Sequence, residues 1–482
     1  MDKITDKGLV KNCSYIDGQW HTSDKRFSVT NPATGETIAQ VANASVNDAE
    51  QAVIAAHKTF ASWSGQTANH RAKLLRNWLN LIIEHQDDLA RLLTLEQGKP
   101  LAEARGEIGY GAGFIEWFAE EAKRVYGETI PAASQDKRLL VLKQPVGVVS
   151  AITPWNFPNA MITRKAAAAL AAGCTFIVKP AEMTPLSALA LAELAERAGI
   201  PAGVFNVVVS DDAVNIGKVL TQHPQIAKFT FTGSTQVGKK LAAQCALGVK
   251  KVSLELGGNA PFIVFDDADI DAAVKGAIAS KYRNAGQTCI CTNRIFVQRN
   301  VVEKFTKQYS MAVAELAVGN GLDVDTQIGP LISSQAAEKV KQLVDSSVAQ
   351  GANIALGGDF SNAGACFYQP TILTEVSNTM PVAQNEIFGP VSAIIPFDSE
   401  AEVIEAANDT EYGLAAYFYA RDIGRIWRVS EGLAFGMVGV NDSAISNVAA
   451  PFGGVKQSGY GREGSRHGLD DYLVIKYLSM GI

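Results

Sequence analysis

Six cysteines and six histidines are few for 482 residues, and neither set clusters. Cys13, Cys174, Cys245, Cys289, Cys291 and Cys366 are too sparse for a disulfide framework, and none stands at zinc-ligand spacing with a histidine. No metal is expected, and the scattered thiols fit a reducing compartment. No Gly-x-Ser-x-Gly elbow accompanies the histidines, so a serine-hydrolase triad lacks support. A basic excess is missing too. The 43 Lys and Arg against 49 Asp and Glu leave a net charge of −6, no field for a nucleic-acid backbone. The longest uncharged run, residues 144–163, nearly reaches membrane-spanning length, but Pro145, Pro154 and Pro158 break it. The first ten residues are charged and lack the apolar core of a signal peptide. A cytoplasmic chain that binds neither membrane nor nucleic acid is expected.

What is present is a composition of ordinary globular type, 47% hydrophobic and 19% charged, at a length that holds more than one domain. The first forty residues carry two turn signals, Asp17-Gly18 and Asn31-Pro32-Ala33-Thr34-Gly35, which predict small β elements. From 45 to about 126 apolar residues recur at three and four, a helical pattern. Then the rhythm changes. Short β-rich runs at 146–153, 174–178, 204–209, 226–232 and 251–254 alternate with helical stretches at 160–172, 186–198, 213–222 and 238–246. That alternation requires a parallel sheet covered on both faces. A second α/β series begins at Pro261, with strands at 262–265, 295–298, 393–396 and 415–419. Residues 138–143 and the last dozen read as a β extension.

Two glycine-rich loops invite a nucleotide and fail different tests. Gly459-Tyr460-Gly461-Arg462-Glu463-Gly464 follows no strand and leaves too little chain for a βαβ unit, so it reads as a turn or loop. Gly233-Ser234-Thr235-Gln236-Val237-Gly238-Lys239 nearly matches a Walker A loop, but Lys240 stands where the magnesium-holding hydroxyl belongs. A triphosphatase loses its metal there. Gly233 and Ser234 still join a strand to a helix, where free N–H groups suit a phosphate. Lys179-Pro180-Ala181-Glu182 adds a cation and an acid at a second strand end.

Three further segments carry reactive groups. Asn284-Ala285-Gly286-Gln287-Thr288-Cys289 ends in a thiol, which local context leaves open between a buried apolar residue and a nucleophile. Leu254-Glu255-Leu256-Gly257-Gly258 sets an acid in an apolar run, costly unless it is paired or functional. Pro154-Trp155-Asn156-Phe157-Pro158 extends an amide from a strand end. Together with Phe231-Thr232-Gly233-Ser234-Thr235, Glu386-Ile387-Phe388-Gly389-Pro390 and Pro451-Phe452-Gly453-Gly454, these segments resemble the aldehyde dehydrogenases over nearly the whole chain. Among them the likeness is greatest to the succinate-semialdehyde dehydrogenases.

The resemblance implies an α/β fold with three parts. These are a Rossmann-like cofactor domain (1–126 and 146–257), an α/β catalytic domain (258–457) and a small β oligomerisation arm (127–145 and 470–482) that builds homodimers or homotetramers. It implies that Cys289 attacks the aldehyde as thiolate, that Asn156 and the Cys289 N–H hold the oxyanion, and that Glu255 activates the hydrolytic water. It assigns Trp155, Lys179, Glu182, Gly233, Ser234, Glu386 and Phe388 to the nicotinamide cofactor. An acid at Glu182 repels a 2′-phosphate by roughly 1 kcal/mol in water and about 4 at an effective dielectric of 20, so NAD is expected over NADP. A glutamate that swings away still admits NADP. Arg164, Arg283 and Ser446 are implied to bind the distal carboxylate of a small semialdehyde, four carbons first and five second. In some relatives a thiol at the Cys291 position forms a redox-switch disulfide, although an i, i+2 bridge requires loop rearrangement. A protein that kept the fold without the chemistry should show a degraded site, yet Asn156, Glu255 and Cys289 are all present.

Overall fold

The computed structural model describes residues 3–482 as an α/β protein with two large, mostly parallel sheets and a small antiparallel one. Four helices, Val46–Ser64 (α1), Ala68–Glu84 (α2), Gln86–Gln97 (α3) and Leu101–Glu121 (α4), fill the predicted helical stretch. The Asp17-Gly18 signal closes a hairpin of Ser14–Ile16 on Gln19–His21, with both turn residues at positive φ as a two-residue hairpin needs.

The first large sheet holds the parallel strands Lys251–Glu255, Ile226–Thr232, Val148–Ile152, Thr175–Lys179 and Phe205–Val207 in that spatial order. The chain therefore reverses its direction of winding between Val148–Ile152 and Ile226–Thr232, the place where doubly wound sheets bind ligands. Both faces are covered, as the near-continuous apolar strands require. Val149, Ala151, Phe176 and Val178 pack on the side of Trp78, Phe114 and Leu170. Val148, Ile177 and Phe229 pack on the side of Val53 and Ile216.

The crossover helices are Ala160–Ala172 (α5), Pro185–Arg197 (α6), Ala213–Gln222 (α7) and Thr235–Ala246 (α8). The second sheet is parallel from Thr371–Thr374 through Val391–Phe397, Thr292–Gln298, Ala260–Val264 and Ala415–Tyr419 to Met437–Val440, with Asn353–Leu356 antiparallel at its edge. The third joins Leu473–Gly481 to Lys137–Pro145 and Glu128–Ile130, where the β extension is expected. Gly459–Tyr460, read from sequence as part of a turn, instead forms a short antiparallel strand beside Lys251–Glu255. Among the described residues no helix is long and apolar enough to cross a membrane, and no cluster of His, Cys, Asp and Glu is placed to hold a metal.

α5 needs a separate explanation. Its alanine-rich sequence lets α4 approach so closely that a Cβ on Gly111 would lie 2.7 Å from Thr163 Oγ1. All its residues are buried, including the neighbours Arg164 and Lys165. Two cations inside a buried helix require a counter-charge. Glu463 supplies it, forming ion pairs with both from a loop 298 residues beyond Lys165. Burial pushes the Glu463 carboxyl up, but the two cations outweigh it and hold it below the usual range. Replacing Glu463 with glutamine keeps the shape and leaves both cations without an anion. Glu463→Gln is expected to cost about 3–5 kcal/mol of stability. Its Tm should fall well below that of the exposed control Glu338→Gln.

Candidate active site

The loops from the two large sheets converge on one cavity of about 260 Å³. From the first sheet come Trp155 and Asn156, which follow Val148–Ile152, together with Gly233 and Ser234, which follow Ile226–Thr232. These flank the winding reversal. From the second sheet's side come Arg283, Cys289, Glu386, Phe388 and Ser446, and α5 contributes Arg164. Ten residues singled out from the sequence thus share one space. Glu255, Lys179, Glu182 and Cys291 are not among those that line it.

Cys289 sits on a loop whose backbone is bent against its preference. Asn284 and Ala285 both hold φ near +50°, costly for residues with a Cβ, and Gly286 follows at +78°. A Cβ on Gly286 would strike the Gly389 carbonyl, and one on Gly258 would strike the carbonyl of Cys289 itself. Hydrogen bonds hold the bend. The Asn156 amide donates to Gln287 O at 3.0 Å, Asn284 Nδ2 donates back to Asn156 O at 3.0 Å, and Gln97 Nε2 donates to Asn284 Oδ1 at 3.0 Å. Beneath them Lys99 Nζ donates to Asn156 O at 2.7 Å and pairs with Glu107 at 2.6 Å, both side chains fully buried. The amide and thiol loops are therefore linked directly. The Cys289 N–H donates to no group among the described residues, a free donor beside the thiol.

Burial sets the charge states. It pushes the Cys289 thiol up to about 12, with Arg164 as the first opposing influence. It raises the Glu255 carboxyl well above the carboxylate range, with the negative charge of Glu463 adding to the rise. One Glu255 oxygen has no hydrogen-bond partner among the described residues. Glu386 is lifted to about 7 by burial while accepting the Gly258 N–H at 3.0 Å. Trp155 and Phe388 meet edge to face at 5.6 Å. Ser234 precedes α8 without capping it, so the first N–H groups of that helix remain available. Lys179 is buried at the neighbouring strand end, 3.6 Å from a half-exposed Glu182.

The two arginines differ in kind. Arg283 is half-buried, and its guanidinium lies 4.9 Å from the centre of the Phe157 ring with no side-chain hydrogen bond to a described residue. Arg164 is only 2% exposed, lies over Phe452 at 4.5 Å and is already paired with Glu463. Cys291 is buried behind the loop, 3.8 Å from the Arg283 carbonyl, and no disulfide joins it to Cys289. Sequence reasoning missed Glu463, Lys99, Glu107 and Tyr110. The one available signal was the Arg164-Lys165 pair in an alanine run, which demands an acid without saying where in the chain it lies.

The aldehyde dehydrogenase family model matches residues 20–478. A 3-sulfolactaldehyde dehydrogenase of Pseudomonas putida is 58% identical over 100% of this chain and 99% of its own. The NADP-dependent succinate-semialdehyde dehydrogenase GabD of Escherichia coli is 55% identical over 100% of both. A glutarate-semialdehyde dehydrogenase of Pseudomonas aeruginosa is 56% identical over 99% of both. The crystal structure of an E. coli NADP-dependent enzyme superposes with a TM-score of 0.99 at 55% identity, covering 100% of both chains. A match that runs through both large sheets and into the small one leaves one reading: the chain belongs to the aldehyde dehydrogenase family.

Proposed function

We propose that this chain oxidises succinate semialdehyde to succinate with a nicotinamide cofactor, NAD ahead of NADP, and that glutarate semialdehyde is its second substrate. The observation that carries the reading is the meeting in one cavity of a thiol, an amide and a half-buried arginine that makes no close ion pair or side-chain hydrogen bond with any described residue. The names of the relatives support it at two levels. All three act on small aldehydes with a distal anion, and they differ in which one.

The residues present suit the cofactor. Uncapped N–H groups at the start of α8 would meet a pyrophosphate, and Lys179 with Glu182 would take the adenosine ribose. Glu386 and Phe388 would flank the nicotinamide ribose and ring. When bound, the nicotinamide supplies the hydride acceptor. The chain's own part begins with proton loss from Cys289, which burial opposes, followed by attack of the thiolate on the aldehyde carbon. The second N–H of the Asn156 amide and the Cys289 N–H, which bonds to no described residue, would hold the oxygen as charge develops on it. Glu255, behind the cavity wall with one unpartnered oxygen, is the base for the water that hydrolyses the thioester. It must first ionise, and its raised carboxyl makes that step favour high pH.

Arg283 with Ser446 holds the distal carboxylate, while Arg164 contributes a positive field already offset by Glu463. The strand Leu473–Gly481 has an unpaired outer edge and exposes Ile475 and Tyr477. We read residues 127–145 and 470–482 as the oligomerisation arm on that ground. Residues 1–126 with 146–257 are the cofactor domain and 258–457 the catalytic domain.

Three outcomes are expected. Comparison of kcat/KM for succinate semialdehyde and butanal, followed as NADH, should give a preference of about 10² to 10⁴, the worth of two charge-assisted contacts. A ratio near one would remove the carboxylate assignment. Iodoacetamide labelling of Cys289 in the cofactor-free protein, read by peptide mass, should quicken about tenfold per pH unit from 7 to 9, because the thiol stays protonated there. Glu182→Ser should improve kcat/KM with NADP at least fivefold, the lower bound for removing one repulsion of about 1 kcal/mol; an unchanged NAD-to-NADP ratio would clear Glu182 of cofactor choice.

A further inference from the structure

Tyr110 faces the cavity from α4, a helix to which none of the site residues read from the sequence belongs. Its ring is held edge-on to Phe114, with centroids 4.9 Å apart, and packs against the cluster of Phe157, Ala160 and Met161. Arg283 stacks on the same Phe157. Tyr110 and Arg283 therefore both border the Phe157 cluster. The Tyr110 hydroxyl makes no hydrogen bond to any described residue, and nor does that of Ser446.

The other polar side chains that line the cavity are already placed. Glu386 lies with Thr235 of α8 beside Gly257 and has the charge of Lys339 acting on it, Thr232 is bonded by Lys165, and Asn156 and Thr288 belong to the two linked loops around the thiol. Arg164 has its anion in Glu463. A substrate carboxylate that enters finds Arg283, Ser446 and Tyr110 as donors that make no hydrogen bond to a described residue. A phenol suits this place, since its rigid ring costs little entropy to order and its O–H becomes a strong donor toward an anion.

We propose that Tyr110 is a specificity-determining residue, whose hydroxyl donates to the distal anion of the substrate beside Arg283. The proposal rests on the carboxylate reading above. Because the hydroxyl bonds to no described residue, Tyr110→Phe removes no hydrogen bond seen in the fold and should unfold at the parental temperature. Its KM for succinate semialdehyde should rise about tenfold to a hundredfold, the worth of one hydrogen bond to a charged group, with kcat little changed. The ratio of kcat/KM for succinate semialdehyde to that for butanal should fall by the same factor. An unchanged ratio in Tyr110→Phe would overturn the proposal. Arg283→Leu, measured in parallel, separates the two levels. If it abolishes the acid preference while Tyr110→Phe keeps it, only the role of Tyr110 falls. If neither variant alters the ratio, the carboxylate pocket falls with it.

Discussion

The ion pairs of Glu463 with Arg164 and Lys165 are the constraint on which the rest of the site depends. α5 is buried on every side because its alanines let it sit between α4 and the first sheet, and a helix in that position can carry cations only if an anion is brought to them. The anion arrives from the far end of the chain. With it comes a negative potential that raises Glu255, a strand that closes the sheet edge beside Lys251–Glu255, and the neutralisation of an arginine that would otherwise dominate the cavity. One carboxylate thus sets the charge of three neighbours at once.

A second buried pair governs geometry rather than charge. Lys99 and Glu107 lie beneath the Asn156 peptide, and Glu107 also accepts the N–H groups of Asn159 and Ala160 at the start of α5. The same peptide is bonded by Asn284 from the left-handed bend that presents Cys289. Amide and thiol are held relative to each other by a rigid frame with little room to adjust, the condition under which donors aimed at a developing charge act most strongly.

Much of this was legible in the sequence, for identifiable reasons. The bounds of α5 and of Ile226–Thr232 follow from an alanine-rich periodic run and from a β-rich run stopped by Gly233, both local signals. Seven of the ten cavity residues, Trp155, Asn156, Gly233, Ser234, Cys289, Glu386 and Phe388, lie in the motifs, and they share one space because those motifs flank strand ends that converge. Strand order was not readable, since pairing depends on partners tens to hundreds of residues away. Arg164 is a substrate ligand by resemblance alone, and its pairing with Glu463 was not readable because that acid lies in a glycine-rich segment read as a turn. Lys99 and Glu107 fall in a stretch where charged residues ordinarily face solvent, and nothing local separates them from Lys123 or Glu116.

The sequence separation of Glu463 from Lys165 also has a meaning in time. Some 298 residues must be made after Lys165 before its counter-ion exists. At 5–20 residues per second that is a delay of about 15 to 60 s, during which α5 has two cations and no anion. Until then α5 cannot be buried with its charges balanced, however early the strands of the first sheet are made. The charge-balanced burial of α5 therefore waits on Glu463, 298 residues beyond Lys165.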